Sequence, residues 1–356
     1  MSQRVISIET LRQERRRSTV KETIEFNFGG KPHTITKEIV NGEMVTYDFS
    51  APLGEMMTTP QGLLDVVQKS IIDLELGREQ VPLLYQPIYR RIEDRNFTEN
   101  VDVAPFIGAQ VVFLEHLELG EVKMGTRKIG PKETVPLLTY TAGFEWTEDI
   151  VMYDKTWEVQ QLNQAMGEAY NALLNHIHLY PIISYNYAAK NKTAAVTLMD
   201  DGSTPYTTHR ERVRATIRKA LIHASQDKDQ DTNAPRRPSI LLAHSSRRWD
   251  IQDALGRFTV GGTEYAPLDG IDTLIFYDGH TIQVGGETYD FAGCDPNKAY
   301  LIEPQRYYRE LVKHDLLVDA APGDLKRLVE QVMVGRARRG VIASPAKSVE
   351  EITLPS

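Results

Sequence analysis

Residues 132–183 read KETVPLLTYTAGFEWTEDIVMYDKTWEVQQLNQAMGEAYNALLNHIHLYPII, an extended strand that runs into a long amphipathic helix. The stretch 134–140 is β-branched and aromatic. Pro136 marks it as an edge strand, because proline has no N–H to give a neighbour. Thr147 offers an N-cap, with Glu148 and Asp149 in a first turn where the helix dipole favours acid. After Asp154 the apolar residues Val159, Leu162, Met166, Ala169, Leu173 and Ile177 recur every three or four positions, the helical period. This predicts a helix over 154–179, stopped by Pro181. At 1.5 Å per residue it is a rod of roughly 36 Å. Leading into the strand, residues 108–139 read as a long two-stranded excursion with a charged, glycine-rich tip. A two-stranded hairpin is marginal alone in water, so one this long predicts a partner surface on another subunit.

On the N-terminal side, residues 61–76 place Leu63, Leu64, Val67, Ile71 and Leu74 on one helical face, with Gly77 as the expected stop. Residues 23–49 predict a β-meander: TIEFNF, GGK, HTITKEIV, Asn41-Gly42, EMVTYDF. Asn-Gly between alternating runs is a strong hairpin signal, since both residues tolerate the positive φ of a type I′ turn. The first 21 residues set Arg4, Arg12, Arg15, Arg16, Arg17 and Lys21 against only Glu9 and Glu14. Such a segment suits a solvated or short helical arm, or an arm lying on a neighbouring subunit or on nucleic acid.

On the C-terminal side, residues 186–204 are polar and loop-rich. Thr208 can cap a helix whose inner face is Val213, Ile217, Leu221 and Ile222. SILLAH at 239–244 reads as a buried strand, and Ser245 or Ser246 opens a helix through Leu255. Strands recur at 273–277, 280–284 and 298–303, which makes the block an α/β insertion. Residues 307–319 fit strand or helix. After Leu328 extended chain is expected, because Val329, Val332 and Val334 are β-branched and Gly335 and Gly340 weaken a helix.

The chain has 356 residues, enough for two domains or for one with large excursions. Apolar residues at 41% and charged residues at 25% predict a folded protein. A net charge of −8 argues against coating DNA by charge alone. No run approaches the ~18 apolar residues of a membrane span, and the start MSQRVISIETLRQ has no apolar signal-peptide core. The single cysteine, Cys294, excludes an internal disulfide framework and a multi-cysteine zinc site. The expectation is a soluble, cytosolic chain.

No catalytic constellation emerges. Asp227, Asp229 and Asp231 imitate a calcium loop, but Thr232 stands where glycine is needed and Pro238 where glutamate is needed. His176 and His178 are two apart on a helix and diverge, so a shared metal is not expected. Gly261-Gly262 and Gly285-Gly286 lack the Lys-Ser of a phosphate loop and read as hairpin turns. Ser245-Ser246 follows a strand but lacks the glycines of a nucleophile elbow. Asn191-Lys192-Thr193 matches a glycosylation acceptor, without meaning in a cytosolic chain. No cofactor or metal is expected, and the chain is not expected to be an enzyme.

The order of elements is specific enough to carry a resemblance. A basic arm leads to a charged hairpin, then GFEWTEDIVMYDKTWEVQQLNQAMGEAYNALLNHI, then RVRATIRKALIH and PSILLAHSSRRWDIQDAL, and back through DPNKAYLIEP to a β-rich end. This resembles the major capsid proteins of tailed bacteriophages, with the Hong Kong phage type of shell fold that encapsulins share. The resemblance implies an α+β fold of four parts. These are an arm with meander and helix (1–80), and a first peripheral part (81–190) holding the extended loop 108–142 and the spine helix 154–179. An inserted α/β axial domain (191–296) and a peripheral return (297–356) complete it. The meander lies outside the family pattern.

The resemblance also implies a function: hexamers and pentamers closing an icosahedral head around double-stranded DNA, located in the virion and assembled in the host cytoplasm. Portal and scaffolding proteins, and a possible decoration protein, would be its partners, with no sequence-specific DNA binding and no membrane. An encapsulin-like compartment shell and an α/β enzyme with an unrecognised site are the alternatives. Inter-subunit contact is expected at the hairpin tip through Glu118, Glu121, Lys123, Arg127, Lys128 and Lys132, and along the arm through Arg12, Arg15, Arg16 and Arg17. Some members of the family join a loop lysine to a neighbour's asparagine. Residues 324–356 contain no asparagine, so a shell without covalent cross-links is expected.

Overall fold

In the computed structural model, residues 20–28, 31–40, 43–44, 60–103, 107–110, 126–129, 133–147, 150, 152–153, 155–226, 236–322 and 329–355 are described. The first half holds β1 (Val20–Phe28), β2 (Lys31–Val40), β3 (Glu43–Met44), α1 (Pro60–Gln80), β4 (Arg90–Glu93), β5 (Asn100–Val103), β6 (Ile107–Gln110), β7 (Thr126–Ile129), β8 (Glu133–Pro136), β9 (Leu138–Thr147) and α2 (Thr156–Ile183). The second half holds β10 (Lys192–Thr193), α3 (His209–Gln226), β11 (Ile240–Ala243), α4 (Arg248–Leu255), β12 (Phe258–Val260), β13 (Thr263–Tyr265), β14 (Thr273–Phe276), β15 (Gly279–Val284), β16 (Glu287–Ala292), β17 (Lys298–Ile302), β18 (Tyr308–Pro322), β19 (Val329–Ala343), α5 (Pro345–Ser348) and β20 (Val349–Thr353). The architecture is α+β. The chain divides into two compact units: residues 1–83, 138–174 and 312–339, and residues 84–137, 175–311 and 340–356.

A seven-stranded sheet has β3-β2-β1-β18-β19-β9 as successive neighbours, with β4 as the seventh strand, paired to β18 off this path. β2 and β3 pair antiparallel as expected of the meander, with Val40 opposite Glu43, while the turn residues Asn41 and Gly42 lie outside the described residues. It is no appendage, because β1 pairs in parallel with β18, Asn27 opposite Asp319. The strand expected at 134–140 is two strands broken at Leu137, and β9 forms the sheet edge. Residues 308–322 resolve as strand, and the extended chain expected after Leu328 is β19.

The core of the first unit gathers Val66, Val67, Ile71, Ile72, Leu74, Trp146, Val159, Met166, Val318 and Met333. Two glycines set how closely its helices approach. A Cβ on Gly77 would lie 2.0 Å from the Gln164 carbonyl oxygen, and one on Gly167 would lie 2.0 Å from that of Leu74. Gly77 is therefore a crossing residue and not the helix stop expected of it: α1 continues to Gln80.

The long helix differs from its sequence reading in extent and in face. It spans Thr156–Ile183, with Pro181 inside the last turn, while Thr147 ends β9. Val159 and Met166 are buried as expected. Leu162 is 36% exposed, and Asn163, Asn171, Asn175 and His178 take buried positions instead. Asn171 and Asn175 bind backbone, which a count of apolar residues cannot reveal, whereas neither side-chain polar atom of buried Asn163 has a hydrogen-bond partner. The Asn171 Nδ2 donates to the carbonyls of Arg78 and Val81, satisfying orphan acceptors beyond the last turns of α1. Its Oδ1 accepts from Arg78 Nε. In the second unit Asn175 Oδ1 accepts from the Leu84 N–H at 2.7 Å. His178 is fully buried there, stacked on Tyr85 at 3.7 Å between ring centres. Asn171→Ala strands two partly buried carbonyls and is expected to cost about 2 kcal/mol of unfolding free energy. An unchanged urea midpoint would show that the amide does not hold the end of α1.

The second unit holds a five-stranded sheet, β10-β20-β17-β11-β14, in which β11 runs parallel to β14 and antiparallel to β17. Every residue of β11 is buried, as SILLAH predicts. Val213 and Ile217 of α3 and Ile251 of α4 pack on it. Ile222 is 45% exposed, contrary to its expected inner position, because it lies one step round from Leu221, which packs on the core. A capping box starts α3: Thr208 Oγ1 accepts from the Glu211 N–H, and Glu211 accepts from the Thr208 N–H. Asn191 is buried and donates to the Ala346 and Val349 carbonyls, so its sequon carries no accessible acceptor.

Candidate assembly surface

Of the residues expected at the hairpin tip, Glu118, Glu121, Lys123 and Lys132 lie outside the described residues, as do Arg12, Arg15, Arg16 and Arg17 of the arm and the acidic loop at Asp227, Asp229 and Asp231. Arg127 and Lys128 stand on β7, opposite Ala109 and Gly108 of β6. The excursion is antiparallel, as expected: β5 pairs with β8, and β6 with β7. Each pair is a two-stranded sheet by itself, belonging to neither larger sheet.

A second ribbon, β15–β16, leaves the second unit after β14. Its turn is Gly285-Gly286, both at positive φ, as the tight reversal requires. The register places His280 opposite Phe291, Ile282 opposite Tyr289 and Val284 opposite Glu287 on one face. Thr281 and Asp290, and Gln283 and Thr288, face the other way and hydrogen-bond across the strands. The apolar face is covered only at its base. There Phe291 stacks on His280 at 4.4 Å and meets His176 of α2 edge-on at 5.0 Å. Partial burial lowers the pKa of both imidazoles; His280 adds to this at His176, while Asp290 opposes it at each. Further out, Ile282, Tyr289 and Val284 are 43%, 47% and 58% exposed. At the neck, Gly279 and Gly293 bring backbone against backbone: a Cβ on Gly293 would lie 2.0 Å from the Asp278 carbonyl carbon.

Beside the neck lie the carboxyl ends of β11 and β14, where α/β sheets often place ligands. Ser245 bonds to the Asp278 carboxylate through its N–H and its hydroxyl. Partial burial opposes ionisation of Asp278, yet the Ser245 bonds and nearby His244 hold its pKa below the ordinary value. His244 presents the same nitrogen, Nδ1, to Ser246 Oγ at 2.9 Å and to Asp278 at 3.6 Å. A Ser-His-Asp relay needs the two ring nitrogens on different partners, so these residues form a turn clamp. Trp249 stands at the start of α4, 72% exposed, and the Arg248 guanidinium lies over Phe276 at 5.0 Å. Periodicity did not single out Trp249; an aromatic in the first turn of a short helix was its only signal.

Among the described residues no cluster of three or more His, Cys, Asp or Glu is placed to hold a metal. None of their helices is long and apolar enough to cross a membrane. Cys294 is a buried free thiol whose pKa burial and Asp278 push up to about 12, far from the activated range of a nucleophile.

No protein-family model matches the sequence, and no curated protein is similar to it. Solved structures are similar in fold. The virus-like particle from Pyrococcus furiosus is 14% identical, with a TM-score of 0.45 over 80% of this chain and 96% of that one. The capsid of Myoviridae phage XM1 is 12% identical, with a TM-score of 0.47 over 76% and 92%. The encapsulin SrpI complex of Synechococcus elongatus is 11% identical, with a TM-score of 0.43 over 77% and 88%. At identities this low, the functional conclusion rests on the chain's own architecture.

Proposed function

We propose that this chain is a shell-forming structural protein, the major capsid protein of a tailed bacteriophage head. The observation that carries the reading is the excursion β5–β8. Its inner pair, β5 with β8, packs Val101 and Val135 on Leu137, Leu311 and Ile342 of the same chain, but its outer pair, β6 with β7, is a two-stranded sheet that joins neither larger sheet, and such a ribbon gains stability only by packing on something else. A subunit that laps over its neighbours supplies that surface, at interfaces of ~1,600 Å² or more. In this reading residues 1–80 are the arm, 81–190 and 297–356 the peripheral parts and 191–296 the axial domain. Hexamers and pentamers of the chain enclose double-stranded DNA in the virion, after assembly in the host cytoplasm with portal and scaffolding proteins. The role is structural and not catalytic.

Sedimentation velocity and electron microscopy of the purified chain test this. Capsomers or megadalton shells are expected; monomers and dimers alone, across salt and concentration, would overturn the reading. Reversing Lys123, Arg127 and Lys128 together to Glu is expected to abolish assembly while leaving circular dichroism unchanged. Exposed pairs contribute only ~0.2–1 kcal/mol each, so the effect is collective over many copies. Normal shells from the triple variant would remove the hairpin tip from the contact. Nuclease-protected DNA in native particles separates a phage head from an encapsulin-like compartment.

A further inference from the structure

We propose that the bare outer half of the β15–β16 ribbon docks on the Trp249 face of a second copy of this chain. The inference rests on the shell reading and names one of its contacts. The ribbon's polar face is satisfied by its own cross-strand bonds, Thr281 to Asp290 and Gln283 to Thr288. Its apolar face is seated on His176 at the base and then continues, uncovered, through Ile282, Tyr289 and Val284. A ribbon with one apolar face in water lacks the second layer that strands need.

One acidic side chain, Glu287, stands next to the tip on this face, accepting from the Tyr289 hydroxyl at 2.8 Å. The opposite character occurs at the start of α4. Trp249 is exposed there beside Arg248, whose guanidinium is held over Phe276. Exposed aromatic and arginine side chains are the usual anchors of protein contacts. An apolar strip with one carboxylate beside it thus complements an aromatic anchor with a basic neighbour, and pairing them covers both.

Position explains why the partner is a copy. The bond from the Ser245 N–H to Asp278 ties the start of α4 to the neck of the ribbon, so both surfaces lie at one end of the five-stranded sheet. The contact joins two different patches and is therefore heterologous. A rotation axis passing near that end closes it into a ring, the ribbon of each copy meeting the Trp249 face of the next.

The test is a cysteine pair in the full chain, Glu287→Cys with Arg248→Cys, oxidised after assembly and run on a non-reducing denaturing gel. The native thiol Cys294 is buried. A ladder of multimers above the 40.3 kDa chain is expected from the double variant, and a single band from either variant alone. A dimer from Glu287→Cys alone would mean ribbon packed on ribbon and would overturn the proposal. So would unlinked double-variant chains in particles seen by microscopy, an outcome that leaves the shell reading intact. Failure of the unaltered chain to form any particle removes both. Independently, Trp249→Ala is expected to raise the critical concentration for assembly at least about 30-fold with circular dichroism unchanged, the effect of losing an aromatic hot spot. An unchanged critical concentration would also overturn the contact.

Discussion

Gly167→Ala is expected to unfold the first unit or drive the chain into the insoluble fraction. The added methyl would sit 2.0 Å from the Leu74 carbonyl oxygen and 2.8 Å from the Arg78 nitrogen. Both are backbone atoms inside α1, so no side chain can swing away to make room. Overpacking costs typically 1–3 kcal/mol where side chains can adjust. Here one helix must shift off the other, and a loss above about 3 kcal/mol is expected, much of the stability of a typical domain. The control is Gly285→Ala, at positive φ with nothing within 4 Å, where strain of only about 1–2 kcal/mol is expected. Equal urea midpoints for the two variants would show that the helices do not touch at Gly167.

Asp73→Asn is expected to stabilise the protein at pH 8 and to change nothing at pH 4. Asp73 is 2% exposed, and its Oδ1 has no hydrogen-bond partner. Burial pushes its carboxyl from the ordinary 3.8 up to about 7, with Lys69 pulling the other way. The sign follows from which state holds the proton. Between pH 4 and 7 the folded chain keeps it and the unfolded chain releases it, so stability falls as pH rises through that window and levels off above it. The asparagine cannot ionise and escapes the loss. At 1.36 kcal/mol per pKa unit, the variant's gain at pH 8 is roughly 4 kcal/mol. Denaturant melts of both proteins at the two pH values would check it, and a gain of equal size at pH 4 would exclude ionisation as its source.

Much of the fold is legible where the decisive interaction is local. Thr208 and Glu211 close a capping box within one turn, and Val40 and Glu43 face each other across Asn41-Gly42. The buried strand SILLAH needs no partner to be recognised, since its composition alone excludes water. Legibility fails where the partner is distant. Gly77 resembles a helix stop until Gln164 is placed against it. Asn171 looks like a solvent residue until the carbonyls of Arg78 and Val81 reach its amide. Of the candidate contact surface, β15 and the Gly285-Gly286 turn are readable, but the returning strand β16 and the exposure of Ile282 and Val284 are not. Period-2 apolar residues announce a face to be covered and say nothing of what covers it.

The parallel pairing of β1 with β18 has a consequence for timing. The first strand of the sheet finds its neighbour at Asp319 and Ala320, far along the chain from β1. A ribosome adding ~5–20 residues per second needs roughly 15–60 s to reach that point. Until then the β1–β2 hairpin has an open edge, and the sheet of the first unit cannot close. A nascent chain shorter than this therefore emerges without a finished sheet in its first unit, and on the proposed shell reading a chain extended past Ala320 is the earliest form that could enter an assembly. On that reading, synthesis itself would act as a clock that keeps polysome-bound chains from joining one another.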